Sequence, residues 1–480
     1  MSKSLCLTTT VPYVNAAPHI GFALELVQAD VVARFERRRG TAVRFQTGTD
    51  ENAFKNVSAA RARGISVQQL VDENAARFQS LGELLDISVD TFVRTTSAVH
   101  RNAVASFLSR LNPDDLYRRR YEGLYCRGCE DFYLERDLDG GRCPDHGVFP
   151  TTVSEENVFF RLSRYQSALR DLITSGRLRI VPESRALEVL RFIDRGLVDI
   201  SVSRDAARSE HWGIPFPGDA SQVVYVWIDA LVNYLTGVGY PDGDTARYWT
   251  EATKVHLIGK NVWKFHAVYW PALLLSAGLS VPDQIVVHGF LTNDGRKISK
   301  SSGDAVDPAE YVKRVGTDGV RYFLLRHVRP FEDSDFSLPR LEAAYEADLV
   351  NGLGNLLSRV TALCEAACVP GLSEAEWELP GDYTELLSGY QFDLVLASIW
   401  SQITRSNREL TETKPWVEVR LGHLDAAREK LSPLVKRLAS ISHWLAPFLP
   451  ATSGVILEQL SRTLIRKAPP LFPRLETRSI

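Results

Sequence analysis

Long apolar runs are missing from this 480-residue chain. Its most apolar stretches, around 268–277 and 443–460, are broken by Pro271, Pro447 and Pro450 and fall short of a membrane span. The opening Met1-Ser2-Lys3-Ser4-Leu5-Cys6 lacks the apolar core of a signal peptide. A membrane or secreted protein is therefore set aside, and a cytoplasmic one is expected. Cysteine is sparse, and the six present are uneven: Cys6, Cys364 and Cys368 are scattered, while Cys126, Cys129 and Cys143 share one short segment. In an intracellular chain such a cluster points to a metal or to catalysis before disulfides. Gly and Pro show no excess that would suggest disorder. Methionine is almost absent, with Met1 the single residue of its kind.

What is present is ordinary for a globular protein. With 45% hydrophobic and 24% charged residues, the length allows two to four domains, each with its own core. Net charge is only −3, but it is unevenly spread. Residues 401–480 hold 13 Lys and Arg against 7 Asp and Glu, a net of +6, which leaves −9 on the rest. An acidic body with a basic C-terminal region suits a protein that meets a nucleic acid mainly at one end.

Along the chain, Leu5 to Val11 is apolar and β-branched and reads as a buried strand. It runs into the turn-rich Pro12-Tyr13-Val14-Asn15-Ala16-Ala17-Pro18. A helical pattern follows from Gly21 to Phe35, then a second strand at Ala42–Thr47. Strand, helix, strand within about 45 residues is a βαβ unit, the start of a doubly wound parallel sheet. Later strands are expected at Val223–Trp227, Val255–Ile258 and Gln284–Val287. The stretch between, with the cysteine cluster and repeated Gly/Asp turns, reads as an insertion. From about Leu338 the pattern is helical almost throughout, pausing near Pro370–Asp382 and at Lys414-Pro415, as in a helix bundle. The expected fold class is α/β: a Rossmann-like doubly wound parallel sheet with an inserted zinc-knuckle domain and a C-terminal α-helical bundle. The expected domains are 1–115 and 222–337 for the two catalytic halves, 116–221 for the insertion and 338–480 for the bundle.

Three motifs carry chemistry. Pro18-His19-Ile20-Gly21-Phe22 lies where a loop enters a helix, and a helix N-terminus offers backbone N–H groups and a positive dipole end to phosphate. Gly289 to Arg296 leads into Lys297-Ile298-Ser299-Lys300-Ser301-Ser302-Gly303. Two lysines three apart among small hydroxyl residues form a cationic loop suited to a triphosphate and its departing pyrophosphate. Cys126-x-x-Cys129 and Cys143-Pro144-Asp145-His146 give three thiolates and an imidazole in two knuckles, which suits a closed tetrahedral structural Zn²⁺ site.

His19-Ile20-Gly21 and Lys297-Ile298-Ser299-Lys300-Ser301 resemble the HIGH and KMSKS signatures of class I aminoacyl-tRNA synthetases. Val14-Asn15-Ala16 through Gly48-Thr49-Asp50-Glu51, Tyr225-Val226-Trp227-Ile228-Asp229-Ala230 and Ile258-Gly259-Lys260-Asn261-Val262 resemble the methionyl branch of that family. The likeness runs to about residue 460. It implies ATP-dependent activation of L-methionine to methionyl-adenylate and transfer to tRNA(Met), with ATP, Mg²⁺ and a structural Zn²⁺ as cofactors. His19, Lys297 and Lys300 would be catalytic, and Gly21 and Ser299 would join them in binding ATP. Tyr13, Trp227, Ala230, Tyr234, Val262, Phe265 and His266 match the methionine pocket, whose aromatic walls suit a polarisable sulfur. Asp50 matches the carboxylate that holds the α-ammonium. These residues are expected on strand ends of one sheet. Asn355, Arg359 and Trp416 match the anticodon contacts, where amide, guanidinium and indole suit unpaired bases. The chain also lacks the C-terminal domain by which some relatives dimerise, so a monomer is expected.

The sequence departs from the family at several points. Phe22 stands where a second histidine is usual, and losing such a donor to phosphate typically costs about 10²–10³ in rate. Asn52-Ala53 replaces the usual His-Gly, and Leu231 a proline found in some members. Two other functions follow from these departures: a paralogue supplying activated or tRNA-bound amino acid to a specialised pathway, or a catalytically weak tRNA- or metabolite-binding regulator. The single methionine suggests an auxiliary copy made when methionine is scarce or sulfur is being oxidised.

Overall fold

The computed structural model describes residues 4–126, 131–144, 147–293, 296–297, 307–372 and 378–476. The chain forms two compact units, one of residues 1–18, 36–83 and 88–288, the other of 19–35, 84–87 and 289–480.

The first unit is built on a six-stranded parallel sheet. Its order is Thr91–Arg94, Ala42–Thr49, Ser4–Thr9, Thr253–Gly259, Gln284–His288, Arg179–Val181. Ser4–Thr9 is buried from Leu5 onward, as a central parallel strand covered on both faces must be. From it the chain builds outward through Ala42–Thr49 and Thr91–Arg94, then returns on its other side at Thr253–Gly259. That reversal leaves a crevice beyond the carboxyl ends of the strands, where such sheets bind ligands. Arg179–Val181, from within 116–221, supplies the edge strand. The rest of that stretch contributes a four-stranded antiparallel sheet around Leu116–Cys126 and Thr151–Phe160.

One expected strand is corrected. Val223–Trp227 does not join the parallel sheet: Asp219–Val224 lies in a three-stranded antiparallel sheet, and a helix runs from Val226 to Thr236. The β-branched and aromatic run favours a strand locally, but Ile228, Leu231, Val232 and Leu235 recur at helical spacing and are all buried, so tertiary burial decides. The helix stops at Gly237, where a Cβ would fall 1.7 Å from Gln46 Oε1. The glycine leaves room for Gln46 Nε2 to donate to the carbonyl and side-chain oxygens of Asn233 at 2.8 and 2.7 Å. The expected strands at Val255–Ile258 and Gln284–Val287 lie within observed ones.

The second unit is mainly helical. Pro308–Arg326 is capped by Asp307, whose carboxylate accepts from the Ala309 N–H at 2.9 Å. Further helices follow at Asn355–Ala366, Phe392–Thr413, Leu424–Leu445 and Pro450–Leu460. Arg321, fully buried, knots this unit together. It pairs with Asp30 at 2.8 Å and donates to the carbonyls of Leu85, Pro447 and Phe448 at 3.0, 3.1 and 2.8 Å.

Candidate active site

The loop after the first strand is fixed before any ligand arrives. Asn74 Nδ2 donates to the Val14 carbonyl at 2.6 Å, and the Asp50 N–H donates to the Pro12 carbonyl at 2.9 Å. Tyr13 therefore sits beside Asp50, just past the carboxyl ends of the first two strands. The other pocket candidates are helical, not on strand ends as expected. Trp227, Ala230 and Tyr234 share Val226–Thr236, where spacings of three and four place them on one face. Phe265 and His266 lie in a π-helical turn, Phe265–Tyr269, and Val262 just before it. Such turns widen the helix and recur at functional sites.

These residues come together. Trp227 stacks on Phe265 with centroids 3.8 Å apart and planes 6° apart, and Tyr13 meets Trp227 edge-on at 6.1 Å. The His266 ring is held at both nitrogens, Nδ1 at 2.9 Å from the Val262 carbonyl and Nε2 at 2.7 Å from the Tyr234 hydroxyl. A carbonyl only accepts, so Nδ1 carries the proton and Nε2 accepts from Tyr234. In the neutral ring these two bonds select a single tautomer.

The acidic pair at positions 50 and 51 divides its work. Glu51 is fully buried and filled: Arg94 donates to both its oxygens, at 2.7 and 2.9 Å, and Thr49 and Thr96 add hydroxyl donors. Asp50 accepts from the Asn52 N–H at 3.3 Å. Asn52 Nδ2 reaches Asp229 at 2.7 Å and the Thr95 carbonyl at 3.1 Å, and Asp229 accepts from His100 Nε2 at 2.6 Å. Asn52 thus ties the Asp50 loop to the helix bearing Trp227. His256 underlies the pocket, stacked on Tyr234 at 4.2 Å with Nδ1 2.6 Å from Thr8 Oγ1. Burial, with His266 and Lys254 nearby, holds its pKa well below the usual histidine value. Neither this histidine nor the Asn52–Asp229–His100 chain was anticipated. A polar residue inside an apolar strand, as in Val255-His256-Leu257, was the available signal.

In the second unit, His19 precedes the Ile20–Arg38 helix, and its carbonyl accepts from the Phe22 N–H at 3.0 Å. Its Nδ1 accepts from the Gly21 N–H at 3.1 Å, and a Cβ at Gly21 would fall 2.9 Å from the ring. In the neutral ring the proton is then on Nε2, a donor for an anion. Phe22 is only 8% exposed. Lys297 ends a short strand, with its backbone paired to Thr292, while Ser299 and Lys300 lie outside the described residues. Asn355 and Arg359 are four apart on Asn355–Ala366, one exposed and one half-buried. Trp416 is half-buried near the start of Pro415–Leu421.

Of the expected metal ligands, Cys126 ends its strand and Cys143 opens a tight turn, and both are buried. The Cys143 N–H donates to the Val148 carbonyl and its own carbonyl accepts from Gly147, each at 2.8 Å. Cys129 and His146 lie outside the described residues, and no group of three metal-binding side chains occurs among those described. Burial pushes the Cys6 and Cys364 thiols up to about 12, away from the thiolate form that a nucleophile needs.

The family model for tRNA synthetases class I (M) matches residues 5–149 and 146–361. The chain belongs to that family. It is 40% identical over 489 residues to a methionine–tRNA ligase of Thermosynechococcus vestitus, covering 97% of this chain and 91% of that one. A methionine–tRNA ligase of Caldanaerobacter subterraneus is 39% identical, covering 96% and 75%. Among solved structures, Mycobacterium tuberculosis methionyl-tRNA synthetase bound by methionyl-adenylate superposes with a TM-score of 0.91 at 34% identity, covering 98% of this chain and all of that one. A class I synthetase frame thus surrounds the aromatic cluster of Tyr13, Trp227 and Phe265.

Proposed function

We propose that Tyr13, Trp227, Ala230 and Tyr234, with Val262, Phe265 and His266, form the pocket for a methionine side chain, and that Asp50 holds its α-ammonium. The chain activates L-methionine with ATP to methionyl-adenylate and transfers the methionyl group to tRNA(Met). The observation that carries this is the stacked Trp227–Phe265 pair beside the tautomer-fixed His266, in a chain whose near-full-length relatives are methionine–tRNA ligases. Aromatic faces and an imidazole bonded at both nitrogens suit a polarisable, weakly accepting sulfur better than a hydrogen-bonding side chain.

In the first step a methionine carboxylate oxygen attacks the α-phosphorus of ATP in line, and the bond to the bridging oxygen breaks to release pyrophosphate. Mg²⁺ enters with ATP as part of the substrate. His19 Nε2–H, Lys297 and Lys300 stabilise the phosphate charge, and Gly21 and Ser299 help to seat ATP. In the second step a terminal ribose hydroxyl of tRNA attacks the methionyl carbonyl carbon and AMP leaves. No protein nucleophile is required, and the side chains act by positioning and electrostatics.

Cys126, Cys129, Cys143 and His146 would hold a structural Zn²⁺. Two buried thiols, one of them in a tight hydrogen-bonded turn, suit such a site. The ion would fasten the insertion and supply no step of the reaction. Asn355, Arg359 and Trp416 would read the anticodon. Residues 1–115 and 222–337 form the catalytic part, 116–221 the insertion and 338–480 the anticodon-binding part. The protein acts as a cytoplasmic monomer; no described helix is long and apolar enough to cross a membrane. The single methionine marks it as an auxiliary copy, a reading that fails if expression does not rise under methionine starvation or oxidant stress.

ATP–pyrophosphate exchange across the amino acids, followed by tRNA(Met) charging, tests the activity. Exchange with methionine and charging support it. Exchange without charging would indicate the pathway paralogue, and no exchange the regulator; nothing observed favours either.

A further inference from the structure

Asn52 stands where the family usually has histidine, two residues after the carboxylate proposed to hold the α-ammonium. It is buried, and its side chain lies between two acceptors. Nδ2 donates to Asp229 Oδ2 at 2.7 Å and to the Thr95 carbonyl at 3.1 Å. A carbonyl only accepts, so the amide nitrogen faces this way, and its two hydrogens serve two acceptors from one atom. A neutral imidazole carries a single N–H and could serve only one of them.

Both ends of this connection are anchored. Asp229 is fully buried, and its Oδ1 accepts from His100 Nε2 at 2.6 Å. His100 Nδ1 lies 2.8 Å from Thr236 Oγ1, so one imidazole clasps the Val226–Thr236 helix at two of its residues. That helix carries Trp227, Ala230 and Tyr234. On the other side, the backbone around Glu51 has little freedom. Its N–H donates to Thr95 Oγ1, and its carbonyl accepts from Asn56 Nδ2 and Trp212 Nε1, each at 2.8 Å. The Asn52 N–H itself donates to Asp50 Oδ1 at 3.3 Å. Asn52 therefore touches the amine-holding carboxylate through its backbone and the aromatic-bearing helix through its side chain.

An amino acid in this pocket is held at two points, its α-ammonium at Asp50 and its side chain at the rings. The separation of those points sets the side-chain length that fits, and Asn52 bridges them. We propose that Asn52 is a positioning residue that fixes this separation, and with it the preference of the pocket for methionine over a longer homologue. The inference rests on the methionine pocket proposed above. Asn52 acts through Asp50 and the Trp227 helix, not on the reacting atoms. A longer side chain could push the helix away from Asp50 only by stretching the 2.7 Å bond, which would leave a fully buried carboxylate short of a donor. Discrimination of one methylene is worth only about 10–200-fold, so a little slack in this strut is enough to erode it.

ATP–pyrophosphate exchange by the full chain, with L-methionine and with L-ethionine, one methylene longer, tests this. Asn52→Ala removes the amide and adds no charge. It is expected to raise KM for methionine about tenfold while leaving KM for ATP within about twofold. The methionine-to-ethionine ratio of kcat/KM should fall at least about threefold. Asn52→Asp sets carboxylate against carboxylate and should raise KM for methionine further. Combining it with Asp229→Asn returns one amide donor and one carboxylate to the contact, and should lower that KM again by about threefold or more. A general weakening of the fold would raise both KM values together and keep the ratio, and that result would overturn the proposal. So would an unchanged methionine KM and ratio, or an exchanged pair no better than Asn52→Asp alone. A wild-type chain that exchanges with no amino acid would count against the proposed function. Titration calorimetry of L-methionine on wild type and Asn52→Ala then decides the strut, which requires binding about tenfold weaker in the variant. No binding by the wild type overturns both.

Discussion

Two buried arginines, one in each unit, have opposite surroundings. Arg321 has Asp30 as counter-ion at 2.8 Å and three carbonyls to receive its N–H groups. Arg204, among the described residues, donates to one carbonyl and lies against two aromatic faces. Low dielectric makes each missing partner expensive, so the first arrangement is a fastening, whereas the second rests largely on ring faces. Adjacent carboxylates repeat the contrast. Glu51 is filled by protein donors, whereas Asp50, beside the aromatic pocket, is the one proposed to meet substrate.

This contrast can be broken or sharpened by measurement. Arg321→Met should destabilise the protein most, by about 3–5 kcal/mol, because it strips a buried pair of one partner. Urea unfolding reads this directly, and a loss below about 1 kcal/mol would erase the distinction. Asp50→Asn should leave the urea midpoint near wild type but cut methionine-dependent exchange by about 10²–10³, since truncating a buried charge pair costs about 2–5 kcal/mol. A variant that unfolds instead would place Asp50 with Glu51 among the fastenings. Phe22→His puts a polar ring at a position only 8% exposed. It should cost about 1–3 kcal/mol of stability without raising exchange. A large gain in exchange would show that the missing imidazole alone limits this site.

The smallest effect concerns His256. Its pKa is depressed in the folded state by burial and by His266 and Lys254, so the unfolded chain binds the extra proton first. Its contribution to stability is therefore present above the ordinary value of 6.5 and is lost as pH falls below it. Thermal midpoints taken between pH 7 and 5 should fall for the wild type and fall less steeply for His256→Gln. Parallel slopes would contradict this.

Much of the architecture was legible in the sequence because it rests on local pattern. The apolar run at Leu5–Thr9, the helix after His19 and the strand at Ala42 follow from periodicity and turn residues alone. The helix at Val226–Thr236 was not legible, because its strand-like opening is overridden by burial of Ile228, Leu231 and Leu235 against the rest of the unit. Tyr13, Trp227 and Phe265, drawn from three separate segments, could be named from family likeness, but their stacking could not. Arg204 escaped altogether. It looks in sequence like any other arginine, and only the fold shows the two rings, Tyr225 and Phe132, that it lies against.

The central claim is that the Tyr13–Trp227–Phe265 pocket selects methionine for activation by ATP. ATP–pyrophosphate exchange measured with each of the twenty amino acids tests it most directly. The account predicts exchange with methionine well above every other amino acid, and its loss when Trp227 is replaced by alanine in a protein that still unfolds cooperatively. Exchange equal across several amino acids, or absent with methionine, would contradict it.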